Sequence, residues 1–177
     1  MRLFVGIDLP WELRERLAAL CSSLPGARWV PRENLHLTLR FVGEVTPNQA
    51  EEVDLALGTM RGKRFPLTVT GIGTHDKAGR PVALWAGVER SPGLEHLQSK
   101  IETALQRAGL PAEKRRFLPH ITLAKLDVAA EAKLGLFVQT HNLFRAGPFE
   151  IGHITLFSSQ LGKEASVYTA EVEYPLA

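Results

Sequence analysis

Two stretches decide how this chain reads: Asn34-Leu35-His36-Leu37-Thr38-Leu39-Arg40-Phe41 and Leu118-Pro119-His120-Ile121-Thr122-Leu123-Ala124-Lys125. Each carries His-apolar-Thr-Leu within alternating apolar and polar residues, the pattern of a half-buried strand. Side chains alternate across a strand, so a His and a Thr two apart share one face. That predicts Leu35, Leu37 and Leu39 in a core, with His36, Thr38 and Arg40 projecting from the opposite face. Ile121 and Leu123 anchor His120 and Thr122 in the same way. Six His and eleven Thr over 177 positions give roughly 0.4 chance occurrences of His-x-Thr. The chain has three, the third being His153-Ile154-Thr155-Leu156.

Working outward, residues 3–9 read as a strand that Pro10 stops. Leu13, Leu17, Leu20 and Leu24 recur at helical spacing over 11–24, and Pro25-Gly26 ends that run. Trp29-Val30 and 35–42 read as strand. Thr46-Pro47 and Ser91-Pro92 are helix starts, a capping hydroxyl followed by proline in the first turn. They open helices over 47–60 and from 92 to Gly109. Paired strands are predicted at 65–72 and 82–88, joined by a loop of turn formers from Gly73 to Pro81. A strand over 117–126, a helix over 129–139 and closing strands at 149–158 and 166–174 complete the chain. No Gly-rich phosphate loop follows any strand. The expectation is therefore an α+β fold with mainly antiparallel strands, one domain over residues 1–177.

Composition bounds this reading without deciding it. Apolar residues make up 45% and charged residues 23%, which suits a globular core without metal or disulfide staples. The formal charge is +2, which permits a nucleic-acid partner without demanding one. The lone Cys21 fits a reducing compartment and lies at helical spacing with Leu17 and Leu24, so a buried inert thiol is expected. No stretch reaches the ~18 apolar residues of a membrane span, and a cytoplasmic protein is expected.

Two facing His/Thr platforms suit phosphodiester hydrolysis. One neutral imidazole takes a proton from water while one imidazolium gives a proton to the departing oxygen. Thr hydroxyls donate to non-bridging phosphate oxygens, where charge grows in the transition state. In-line displacement puts nucleophile and leaving group on opposite sides of phosphorus, so the two histidines belong on opposing strands. Local sequence does not choose between His120 and His153 as the partner of His36.

The chain resembles the 2H phosphoesterase superfamily, and within it the RNA 2′,3′-cyclic phosphodiesterases, also called 2′-5′ RNA ligases. The resemblance spans the opening Arg2-Leu3-Phe4-Val5-Gly6-Ile7-Asp8-Leu9-Pro10 and the segment from Arg28 to Val45. It continues through Arg80 to Val88 and Phe117 to Lys125, and closes on Leu156-Phe157-Ser158-Ser159 and Tyr168. It implies two pseudo-symmetric lobes, each a mainly antiparallel sheet with outer helices, flanking a central cleft. It implies His36 and His120 as the catalytic pair, because the family's second motif follows a Phe-x-Pro lead-in that 117–119 match. Thr38 and Thr122 are then the phosphate-binding residues. The implied reaction is hydrolysis of a terminal 2′,3′-cyclic phosphate on RNA or a nucleotide to a 2′-phosphate. His36 is the implied proton donor and His120 the implied base, and reversal of the same chemistry would join 2′-5′ ends. No cofactor, no metal site and a monomer are expected.

Arg40 and Lys125 are candidate substrate contacts. Lys125 stands where family members often carry Arg, and strict alternation turns it toward the core. Arg32, Lys114, Arg115 and Arg116 can attract an RNA backbone or simply solvate the surface. Phe41 and Trp85 are read as core residues, with base stacking as the alternative. His75, His96 and His141 are expected to be bystanders. Three rival readings stand beside this one: a zinc enzyme, a non-catalytic RNA-binding module, and a phosphodiesterase for another small cyclic phosphate.

Overall fold

A computed structural model describes residues 1–177. Nine strands form two antiparallel sheets. The four-stranded sheet runs in the order β3 (His36–Glu44), β1 (Arg2–Asp8), β8 (His153–Gln160), β9 (Val167–Pro175). The five-stranded sheet runs β2 (Ala27–Trp29), β6 (His120–Leu126), β5 (Arg80–Val88), β4 (Phe65–Lys77), β7 (Arg145–Ile151). Four helices accompany them: α1 (Trp11–Ala18), α2 (Pro47–Thr59), α3 (Pro92–Arg107) and α4 (Glu131–His141). The α+β class and the two-sheet arrangement are as expected, and the two motif strands fall in different sheets.

The helix starts follow their sequence grammar. The Thr46 hydroxyl accepts from the Gln49 amide at 3.2 Å and Gln49 returns a bond to Thr46, a capping box. The Ser91 hydroxyl caps α3 through the Leu94 amide. Leu94, Leu97, Ile101 and Leu105 on α3 are all buried. The core runs continuously beneath both sheets. Leu3, Val5, Ile7 and Leu37 from one sheet share it with Leu67, Val69, Leu84 and Ile121 from the other.

Four boundaries differ from the sequence reading. The first helix stops at Ala18, and Ser23 takes a left-handed φ of 64°, so Leu24 reaches the core from a loop. The segment from Gly73 to Pro81 is mostly strand. Ala78 and Gly79, both left-handed at φ 54° and 77°, make the tight turn that right-twisted hairpins favour. The second motif strand starts at His120, so 117–119 lie outside it. The expected strand over 149–158 is two strands in different sheets: β7 pairs with β4, β8 with β1. Gly152 is the crossing point, and a Cβ there would meet the Arg64 guanidinium at 2.8 Å.

Candidate active site

The lead-in to each motif fixes its imidazole. His36 Nδ1 lies 2.7 Å from the carbonyl oxygen of Asn34, and His120 Nδ1 lies 2.7 Å from that of Leu118. A carbonyl only accepts, so each Nδ1 carries a proton and each Nε2 is left for chemistry. His36 Nε2 sits 2.8 Å from the Thr38 hydroxyl. The His-x-Thr spacing thus places the hydroxyl beside the working nitrogen. The lead-in of the first motif is itself held: the Asn34 amide donates to the Ser166 carbonyl at 2.7 Å.

The strands carrying the motifs pack against one another where the two sheets meet. His120 is near enough to His36 for its charge to bear on His36 titration. Burial is the largest influence on His36 and lowers its pKa below the usual 6.5. The Asn34 carbonyl and Asp8 pull the other way, while Arg14 and His120 add to the lowering. The two imidazoles differ in setting, His36 half-buried and His120 exposed.

Aromatic rings wall His36. Phe4 lies 4.9 Å from it between ring centroids and Tyr168 stands edge-on at 5.2 Å. Phe157 stacks on Phe4 at 4.9 Å. Gly6 belongs to the same face, opposite Thr38, and a Cβ there would come within 2.8 Å of the Leu37 carbonyl. Trp85 lies 6.4 Å from His120 and lies over Gly73, whose missing Cβ makes the room.

Strict alternation fails directly after the motif Thr in both strands, and β3 slips a second time further on, at Val42. On β3 the pairing steps from Gly6↔Thr38 to Val5↔Arg40, leaving Leu39 unmatched. On β6 it steps from Trp85↔Thr122 to Leu84↔Ala124, leaving Leu123 unmatched. Each is a β-bulge, which places two residues against one and reverses the faces beyond it. Three expectations are corrected in consequence. Arg40 does not share the face of His36: it is 7% exposed and turned inward. Its Nε lies 3.1 Å from each carboxylate oxygen of Glu102 on α3, and its Nη1 donates to the Phe41 carbonyl at 2.7 Å. Phe41, read from the sequence as a core residue, takes the outer face instead, 54% exposed and opposite Phe4. Likewise Lys125 is exposed on the face of His120 and Thr122, not turned to the core.

The remaining histidines are placed as follows. His75 is exposed on the β4–β5 hairpin, His96 is exposed on α3, and His141 ends α4 against Phe137 at 4.6 Å. His153 opens β8, in the same sheet as His36 with β1 between them. The Cys21 thiol is partly buried 3.3 Å from the Leu17 carbonyl, and burial pushes its pKa up to about 11.

Sequence reading missed Arg14, which sits among the leucines of α1. It is 6% exposed, bonds Asp8, and donates to the carbonyls of Leu9 at 3.1 Å and Arg32 at 2.9 Å. Those bonds join β1 to the turn that delivers His36. Its sequence context, charged neighbours between leucines, gives no sign of burial.

Two antiparallel sheets, each presenting a His-x-Thr strand where they meet, match a known class of phosphoesterase. The chain belongs to the family described as LigT like Phosphoesterase, which it matches over residues 7–85 and 87–168. It is 32% identical to the RNA 2′,3′-cyclic phosphodiesterase of Aeropyrum pernix, covering 92% of this chain and 96% of that protein. It is 37% identical to the Escherichia coli enzyme of the same name, over 70% of this chain and 71% of that one. The crystal structure of E. coli LigT complexed with 3′-AMP superposes with a TM-score of 0.78 at 30% identity, covering 99% of this chain and 97% of the other.

Proposed function

We propose that this protein hydrolyses the terminal 2′,3′-cyclic phosphate of RNA or nucleotides to a 2′-phosphomonoester. The observation that carries this reading is the matched pair of imidazoles. Each is fixed through Nδ1 on a carbonyl two residues upstream, and they sit on strands of opposing sheets. His153 shares the sheet of His36, so opposition of nucleophile and leaving group falls to His120. Similarity to enzymes named RNA 2′,3′-cyclic phosphodiesterase supplies the substrate class.

In this mechanism His120 Nε2 takes a proton from water as the water oxygen bonds to phosphorus. The bond from phosphorus to O3′ breaks, and His36 Nε2 gives its proton to O3′. The exposure of His120 suits contact with water, and the half-buried His36 suits a leaving oxygen held away from it. The lowered pKa of His36 makes it a strong acid but a sparsely protonated one in the free protein. The negative charge of the bound phosphodiester restores the proton by favouring imidazolium. Thr38 and Thr122 donate to the non-bridging oxygens. Lys125, on the His120 face, offers a point charge to the phosphate backbone. Arg40 is assigned to holding β3 on α3, not to substrate. The same site run in reverse would join 2′-5′ ends. The protein acts as a monomeric cytoplasmic enzyme of one domain, its two lobes sharing a continuous core.

The test is incubation with nucleoside 2′,3′-cyclic phosphates and with RNA ending in one, followed by identification of the hydroxyl that keeps the phosphate. A 2′-phosphate is expected. RNA binding without turnover would instead favour a binding module. Activity lost to a chelator and restored by zinc would favour a zinc enzyme. Turnover confined to some other small cyclic phosphate would relocate the substrate.

A further inference from the structure

The third His-x-Thr is not absorbed by this mechanism, and its surroundings are unusual. We propose that Asp8, His153 and Glu173 form a binding site for one first-row divalent cation of the zinc class. The three residues stand on neighbouring strands β1, β8 and β9. One ligand atom from each, two carboxylate oxygens and an imidazole nitrogen, lies within 4.8 Å of both others. Ligands at about 2.1 Å from a tetrahedral zinc are about 3.4 Å apart. Side-chain rotations that draw each pair in by up to about 1.4 Å would close the set.

Two further observations point to an absent ligand. His153 Nε2 is shielded from solvent and has no hydrogen-bond partner, its nearest carboxylate oxygen being Glu173 Oε1 at 3.9 Å. Thr155 is fully buried, and its hydroxyl is also without a partner. Thr155 stands two residues from His153 on the same face of β8, opposite both Glu173 and Gly6. A buried hydroxyl and a buried imidazole nitrogen each normally find a partner. A cation would engage the imidazole nitrogen, and a water in its shell would reach the hydroxyl. One imidazole with two carboxylates suits zinc, manganese or cobalt better than calcium or magnesium. Arg14 already engages one oxygen of Asp8, which leaves the second for the cation. No short motif announces such a site, because its ligands come from three separate strands. The site is independent of the cyclic-phosphate reading and uses neither His36 nor His120.

The experiment titrates chelator-treated protein with Zn²⁺ by calorimetry, alongside thermal melting with and without Zn²⁺. One equivalent is expected to bind and to raise the melting temperature. His153→Ala and Glu173→Gln are each expected to weaken binding by roughly 10–100-fold, while the metal-free variants keep wild-type hydrolysis of a cyclic phosphate. The double variant His36→Ala/His120→Ala is expected to bind one equivalent still. The proposal is overturned by a wild-type protein that binds no stoichiometric Zn²⁺. It is equally overturned by a Glu173→Gln protein that binds as wild type, or by binding that vanishes in the double variant, which would place the ion on the catalytic pair.

Discussion

At the scale of single residues, the two imidazoles are alike in anchoring and different in environment. Replacing either His36 or His120 by Ala should lower the rate on the order of 10²–10⁴-fold, the usual worth of a general acid or base. His153→Ala should leave single-turnover hydrolysis near wild type. His36 also predicts a pH dependence of stability. Its folded pKa lies below 6.5 because burial disfavours the charged ring. Below that value the unfolded chain takes up a proton that the folded protein resists. The associated stability is therefore present above about pH 6.5 and lost as pH falls through the folded pKa. Denaturant melts at about pH 7.5 and about pH 5.5 should show a smaller loss for His36→Asn than for wild type. In rate profiles the alkaline limb belongs to His36 if it is the proton donor. That limb should vanish in His36→Ala, and disappearance of the acid limb instead would exchange the two roles.

At the scale of elements, the informative features are the two bulges. Both follow the motif Thr directly, so Arg40 corresponds to Ala124 and Phe41 to Lys125. The inward position is a lone small residue in one lobe and an ion pair in the other. Burial alone would raise the pKa of Glu102, but its bonds to Arg40 and to the Glu113 amide lower it overall. Arg40→Leu should therefore destabilise the fold by about 1–2 kcal/mol, the cost of taking the charged partner from a half-buried carboxylate. Urea melts would measure this, and KM should change little in the fraction that stays folded. Lys125→Ala should behave oppositely, raising KM for RNA and flattening its salt dependence with stability unchanged. The alternation of both motifs was legible as far as Leu39 and Leu123. Beyond them it was not, because a bulge is set by pairing with β1 or β5, and no residue type in either strand encodes it.

At the scale of the whole molecule, the site exists only because the chain passes between sheets. Strand β2 leaves the first half of the chain to pair with β6, while β8 returns to pair with β1 and carries β9 on its outer edge. The shared core predicts a single cooperative transition. Fluorescence of Trp29 and Trp85, both in the five-stranded sheet, should follow the same urea curve as far-UV circular dichroism. Two separated transitions would mean lobes that fold independently.

The sequence by itself determined the helix starts, the buried rows of leucine and isoleucine, and the imidazole–hydroxyl pairing within each motif. These are set by neighbours within a few residues, through capping and alternation. The His-x-Thr pattern alone did not separate His120 from His153; the lead-in at 117–119 favoured His120 by resemblance, and the sheet that receives each strand, which puts His120 opposite His36, was decided by tertiary structure. The exchange of Arg40 for Phe41 on the outer face, the burial of Arg14 and the meeting of Asp8, His153 and Glu173 were decided there too. Each depends on strand register between distant segments, which is fixed by how the two sheets pair and pack.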